Sequence, residues 1–193
     1  TTVFRPRTGM IMGIGAAVVS AVALVGLLLE VPFDEWIRIA PALVSVGVLG
    51  IVLFVLPSLT VSDNHITVRN VLRTIEVPWS AIRTVDTKYS LVLDTPDGKF
   101  SAWAAPSPGR QAAFVTRTAE VERAAAAGLQ SPRPGDLEST TSGAPAMMIR
   151  RTLDDFIEAG TLGAPEPVHI RRHTVTIVVL IALGVAVVSS ALL

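Results

Sequence analysis

Apolar positions fall into three long blocks, and between the second and third the pattern changes to short alternating runs. The first block, Gly9 to Leu29, carries no charge, the second runs from about Ile39 to Leu56, and the third from Thr174 to Leu193. A helix rises about 1.5 Å per residue, so roughly 20 residues cross a hydrocarbon core of about 30 Å. Each block therefore predicts a membrane-spanning helix. The second is the shortest, and Trp36 ahead of it suits an interfacial anchor. The first is longer than the core of a cleavable signal peptide, and no small-residue cleavage pattern follows Leu29, so it is expected to stay as a span. Glu30-Val31-Pro32-Phe33-Asp34-Glu35 then reads as a short exposed turn joining two spans.

From Ser58 the runs are short. Ser58–Val61 reads as a strand, Ser62-Asp63-Asn64 as a turn, and His65–Asn70 alternates as a half-buried strand does. Arg73–Pro78, Ile82–Lys88, Ser90–Asp94 and Lys99–Trp103 continue the series to about six strands. Thr95-Pro96-Asp97-Gly98 is a turn in which proline presets one backbone angle and glycine accepts a positive one. After Pro106-Ser107-Pro108 the spacing predicts an amphipathic helix over 109–127, its Ala113, Phe114, Val115 and Val121 interleaved with Arg117, Glu120, Glu122 and Arg123. Short strands closed by one helix predict a bent sheet or half-open barrel capped at an end. Gln130 to Ala146, rich in Ser, Pro, Gly and Thr, reads as a flexible linker, and Met147 to Ala159 as a short amphipathic helix. The expected organisation is a membrane hairpin in 1–57, a mainly-β domain in 58–129, a linker with a short helix in 130–173, and a last span in 174–193.

Composition supports this division. Half of the 193 residues are apolar and 17% are charged, below the quarter usual for a soluble domain, so the apolar excess belongs to the spans. Lys plus Arg and Asp plus Glu balance at 16 each, which gives no electrostatic argument for nucleic acid. Basic residues at the span ends set an expected orientation. Arg5 and Arg7 precede the first span, Arg69 and Arg73 follow the second, and Arg171 and Arg172 precede the third, whereas the hairpin turn carries three acids and only Arg38. By the positive-inside rule the N-terminus and the central domain are expected in the cytoplasm, and the hairpin turn and C-terminus outside a cytoplasmic membrane. Arg5, Arg7, Arg171 and Arg172 are then placed to meet lipid headgroups, each worth about 1 kcal/mol near an anionic surface.

Asp63-Asn64-His65-Ile66-Thr67-Val68-Arg69-Asn70, followed by Thr74-Ile75-Glu76-Val77-Pro78-Trp79-Ser80-Ala81-Ile82, resembles the bacterial pleckstrin-homology (PH) family, and in particular its actinobacterial members fused to membrane helices. The similarity covers about Ser58 to Ala127. It implies a seven-stranded, strongly bent sheet with a C-terminal helix, one strand being merged or hidden near Leu59. Relatives that bind phosphoinositides do so through basic residues in the first hairpin. Ser62-Asp63-Asn64, matched to that turn, has an acid and no base, so the resemblance does not carry that ligand over. Trp79 is expected to pack in the core or at its rim.

Chemistry-bearing patterns are sparse. There is no cysteine, which removes disulfides, thiolate metal sites and cysteine nucleophiles. His65, His169 and His173 stand at no metal-ligand spacing, and Gly13-Ile14-Gly15 lies within a span, not in a nucleotide loop. Asp154, Asp155 and Glu158 read as a solvated helix face. The apolar blocks hold no Asp, Glu, Lys, Arg or His, which argues against a pump or proton path. No catalytic, metal or cofactor residue is assigned, and no small-molecule substrate is expected. The spans do carry small residues four apart: Gly9, Gly13, Ala17 and Ala21 in the first, and Ala182, Ala186 and Ser190 in the third. Such stripes let helices approach closely, either within this chain or against other integral membrane subunits. The reading is a non-catalytic accessory or assembly subunit of a larger membrane complex, a respiratory-chain assembly being one host of that character. The alternative is a self-contained lipid or stress sensor, homo-oligomeric through its β domains.

Overall fold

The computed structural model describes residues 1–107 and 140–192. The elements are β1 (Thr2–Phe4), α1 (Arg7–Glu30), α2 (Phe33–Gly50, prolonged by a π-helical turn, Ile51–Val55), β2 (Ser58–Val61), β3 (His65–Arg69) and β4 (Arg73–Pro78). A 3-10 turn (Trp79–Ala81) leads to β5 (Thr84–Asp86), β6 (Ser90–Thr95) and β7 (Gly98–Pro106), and then follow α3 (Gly143–Glu158), β8 (His169–Arg172) and α4 (Thr174–Ala191). Two compact units result: residues 1–5, 58–70 and 74–171 form one, and 6–57, 71–73 and 172–193 the other.

In the helical unit, α1, α2 with its π turn, and α4 are each long and apolar enough to cross a membrane. The second helix begins at Phe33, well ahead of Ile39, and the joining turn shrinks to Val31-Pro32. The charges that looked like a loop are first-turn residues. Asp34 and Glu35 lie where the helix dipole favours anions, and Pro32 takes the cap position, where a missing N–H costs nothing. The hairpin is held by a close backbone approach. A Cβ placed on Gly13 would lie 2.5 Å from the Gly50 carbonyl oxygen, and one on Gly50 would lie 3.0 Å from both Ala16 Cβ and the Gly13 carbonyl oxygen. Gly47 faces Ser20 in the same way, at 3.2 Å. In lipid, where apolar burial gives no net drive, such contact supplies the attraction. The helix α4 packs on α2. At its start the His173 N–H donates to the Leu72 carbonyl (2.9 Å), and His173 Nδ1 lies 3.2 Å from the Val71 oxygen.

The other unit has a five-stranded sheet in the order β1-β2-β3-β4-β8 and a three-stranded sheet, β5-β6-β7. Alternation does what period-2 patterning requires. Leu59, Ile66, Val68, Ile75, Val77, Leu91 and Leu93 are fully buried between the sheets, each contributing about 1.5–3 kcal/mol relative to exposure. Gly98 has φ +134°, as its turn demands, and the Thr95 hydroxyl donates to the Gly98 carbonyl.

Three features differ from the sequence reading. Among the described residues Leu59 lies in β2, and an unexpected strand, β1, stands ahead of the membrane hairpin, paired Thr2↔Val61, Val3↔Thr60 and Phe4↔Leu59. An eighth, β8, directly precedes α4. The helix expected over 109–127 lies outside the described residues, as does most of the expected linker, but Gly143–Ala146, read as linker, begin α3. That helix starts four residues before Met147 because its first turn is part of the core: Ala146 and Ile149 are fully buried, with Met148, Leu153 and Phe156 packed beside them.

The two sheets are joined at one edge by a side chain. The Asn70 amide donates to the Ser101 carbonyl (2.8 Å) and accepts from the Trp103 N–H (3.0 Å), imitating a strand pair between β7 and the end of β3. Asn70→Ala leaves both β7 groups without this partner and is expected to cost about 1–3 kcal/mol, measured by denaturant unfolding of the detergent-solubilised chain. Gly13→Ala is expected to lower the thermal midpoint of the helical unit by forcing the hairpin apart, whereas Gly15→Ala, which meets nothing within 4 Å, leaves it unchanged. Paired melts in one detergent read the difference.

Candidate functional site

The strand registers sort charge toward the two ends of the five-stranded sheet. Phe4 pairs with Leu59, Ser58 with Arg69, and Arg69 with Thr74, while the end of β8 meets the start of β4 through the His173–Leu72 bond. One end therefore carries Arg5, Arg69, Arg73, Arg171 and Arg172, all exposed. Among the described residues none of these guanidinium groups is within ion-pair reach of a carboxylate; the ion pair found there is Lys99–Asp94 at 3.6 Å. β1 ends, β2 begins and β8 ends at this edge of the sheet. Arg7, in the first turn of α1, is exposed as well.

The opposite end holds a groove of about 180 Å³ walled by Pro78, Trp79, Phe156 and Leu162 and rimmed by Asp63 and Glu166. Its walls are pinned. The Trp79 Nε1–H donates to the Ser62 carbonyl (3.0 Å), tying the 3-10 turn to the β2–β3 turn, and the Trp79 and Phe156 rings meet at 5.5 Å and 56°. Trp79 is 5% exposed, in accord with the expected packing role, while Phe156 and Leu162 are half-buried. Gly160, at φ +62°, ends α3 in the left-handed conformation, and the Thr161 N–H then donates to the Phe156 carbonyl (3.1 Å). The returning chain is fastened by Glu166 N–H to Ser80 Oγ (3.2 Å) and Val168 N–H to Asp97 Oδ2 (2.9 Å). No Lys, Arg or His lines the groove among the described residues.

The small-residue stripes divide between two uses. Gly13 is buried in the hairpin, Gly9 lies 3.7 Å, by its would-be Cβ, from the Phe54 carbonyl oxygen, and Ala17 and Ala21 line an apolar cleft between α1 and α2. On α4, Ser190 is buried and donates to the Val187 carbonyl (2.9 Å), Ala186 is half-buried, and Ala182 is exposed. The sequence reading missed the groove. Asp63, Trp79, Phe156 and Glu166 lie on four separate segments, and only Trp79 stood out.

The chain joins a mainly-β unit of two antiparallel sheets, with a helix against its core, to helices long and apolar enough to cross a membrane. Residues 56–130, which include β2–β7, match the family model described as bacterial PH domain; PH domains are binding modules for protein or lipid rather than catalysts. β1, α3 and β8 lie outside the matched stretch. No curated protein and no solved structure matches the chain.

Trp79→Phe keeps an aromatic ring but removes the donor to Ser62 and part of the buried indole. It is expected to cost at least about 1 kcal/mol, which for a domain of this size lowers the melting midpoint by about 4 °C or more in a detergent-solubilised sample.

Proposed function

We propose that this chain is a non-catalytic binding module fixed to the cytoplasmic membrane, serving as an accessory or assembly subunit of a larger membrane complex. The observation that carries the reading is the threading of the domain. β1 precedes the membrane hairpin, β2 follows it, and β8 runs directly into α4, so the chain connects the sheet domain to its helices at three points. A module built this way works at the membrane surface, on what neighbouring membrane proteins present there.

Two further features support it. The α1 stripe is used inside the hairpin, while α4 keeps an exposed face on which Ala182 lies between Val178 and Val185. That face suits a helix of another subunit. Arg5, Arg171 and Arg172, without an ion pair among the described residues, and Arg7 suit anionic headgroups of the inner leaflet, which supports a reading with the sheet domain in the cytoplasm and the hairpin turn and C-terminus outside.

The test is a pull-down of the tagged chain from its native membrane in mild detergent, with native sizing and mass spectrometry. Co-migration with a fixed set of large membrane subunits is expected and would name the host, a respiratory-chain assembly or another. A lone monomer or homo-oligomer in several gentle detergents would instead support the sensor reading. Because the chain has no cysteine, orientation is read in the same strain. Asp34→Cys is expected to react with an impermeant thiol reagent in intact cells, and Tyr89→Cys, 79% exposed, only after lysis.

A further inference from the structure

We infer that the groove between the 3-10 turn and the end of α3 is a docking site for a cationic side chain, a lysine or arginine, on the cytoplasmic segment of a partner membrane protein. The inference rests on the accessory-subunit reading and names the chemistry of its partner.

The groove's shape and charge select the ligand. A volume of about 180 Å³ suits one long side chain and is too small for a helix. Phe156 and Leu162 offer an apolar wall, against which the methylene stem of lysine or arginine lies well. Asp63 and Glu166 stand at the rim with exposed carboxylates, and among the described residues no basic side chain lines the groove to neutralise them. Their negative charge favours a cationic guest over a neutral or anionic one.

The walls are fixed before any guest arrives. Trp79 is tied to Ser62, Glu166 to Ser80 and Thr161 to Phe156, so little order has to be created on binding. General membrane topology supplies the guest. Cytoplasmic loops and tails of membrane proteins are enriched in Lys and Arg near their spans, so a cytoplasmic domain with an acidic, apolar-walled groove meets that chemistry on a neighbouring subunit. The five arginines lie at the far end of the sheet and do not compete for the site.

The test uses the full chain in nanodiscs of phosphatidylcholine, which carries no net charge, and a fluorescent Gly-Ser peptide bearing arginines. A matched peptide carries citrulline, which keeps the shape and removes the charge. The arginine peptide is expected to bind, and the citrulline peptide to bind at least about tenfold more weakly. The double variant Asp63→Asn, Glu166→Gln should lose affinity for the arginine peptide by the same factor while melting as wild type, since both side chains are exposed. Glu166→Asp should restore part of the binding in the Asp63 wild-type background. Equal binding of the two peptides, or equal affinity of wild type and double variant, would overturn the assignment. So would a wild type that binds neither peptide and a double variant that melts several degrees lower, which would mean that a basic side chain of this same chain fills the groove.

Repeating the native pull-down with the double variant separates this inference from the one beneath it. Loss of the co-migrating subunits is expected, and their full retention would overturn the docking role while leaving the accessory reading intact. A wild-type chain that migrates alone yet binds the arginine peptide charge-selectively would keep the groove and sink the accessory reading.

Discussion

The pairing of β1 with β2 is the constraint on which the rest of the structure depends. Antiparallel neighbours are ordinarily joined by a turn of a few residues. Here residues 5–57 make the connection, and they include two helices of membrane-spanning length. Such a long closure is tolerable because the hairpin is itself compact. The Gly13–Gly50 approach holds α1 against α2, and Gly9, near the start of the first helix, lies beside the Phe54 carbonyl, near the end of the second. The hairpin thus returns its two ends to one place, and the entropy of closing a free loop of that length does not arise. The same small residues that could have served a partner helix are thereby committed to the fold.

Around this constraint the sheet unit is assembled from distant parts of the chain. β1, β8 and α3 complete a core whose central strands are consecutive, and each of the three lies outside the stretch that matches the PH family model. The helix against the core is tied to the sheets by more than apolar burial. Phe156 reaches the Trp79 ring, and the Arg150 guanidinium donates to the Val85 carbonyl on β5 (2.9 Å). The loop leaving α3 then has to fold back along Pro78-Trp79-Ser80 to reach β8. The groove is the space left between that loop and the turn, so the fold's long-range closure and its candidate binding site have a common origin.

Charge follows the same geometry. A formally neutral chain carries five arginines at one end of the five-stranded sheet and two carboxylates at the groove. Neither grouping depends on a charge excess. Both come from which strand ends coincide, and the arginine end from antiparallel registers that set Arg69 beside Ser58 and Thr74.

The sequence by itself determined the three spans, the six central strands with their turns, and the buried role of Trp79, because each is written in local periodicity: long uncharged runs, period-2 alternation, and Gly or Pro at turns. Its errors were local charges read without context. Asp34 and Glu35 looked like loop and are the first turn of a helix, and Gly143–Ala146 looked like linker because Gly and Pro are poor helix formers in isolation. Only the tertiary structure decided that Thr2–Phe4 and His169–Arg172 are strands, for they are too short to alternate and become strands by finding β2 and β4 as partners. It alone brought Asp63, Trp79, Phe156 and Glu166 to one groove. Period and composition describe neighbours along the chain, whereas pairing across a membrane hairpin and convergence of four segments depend on contacts that no local pattern encodes.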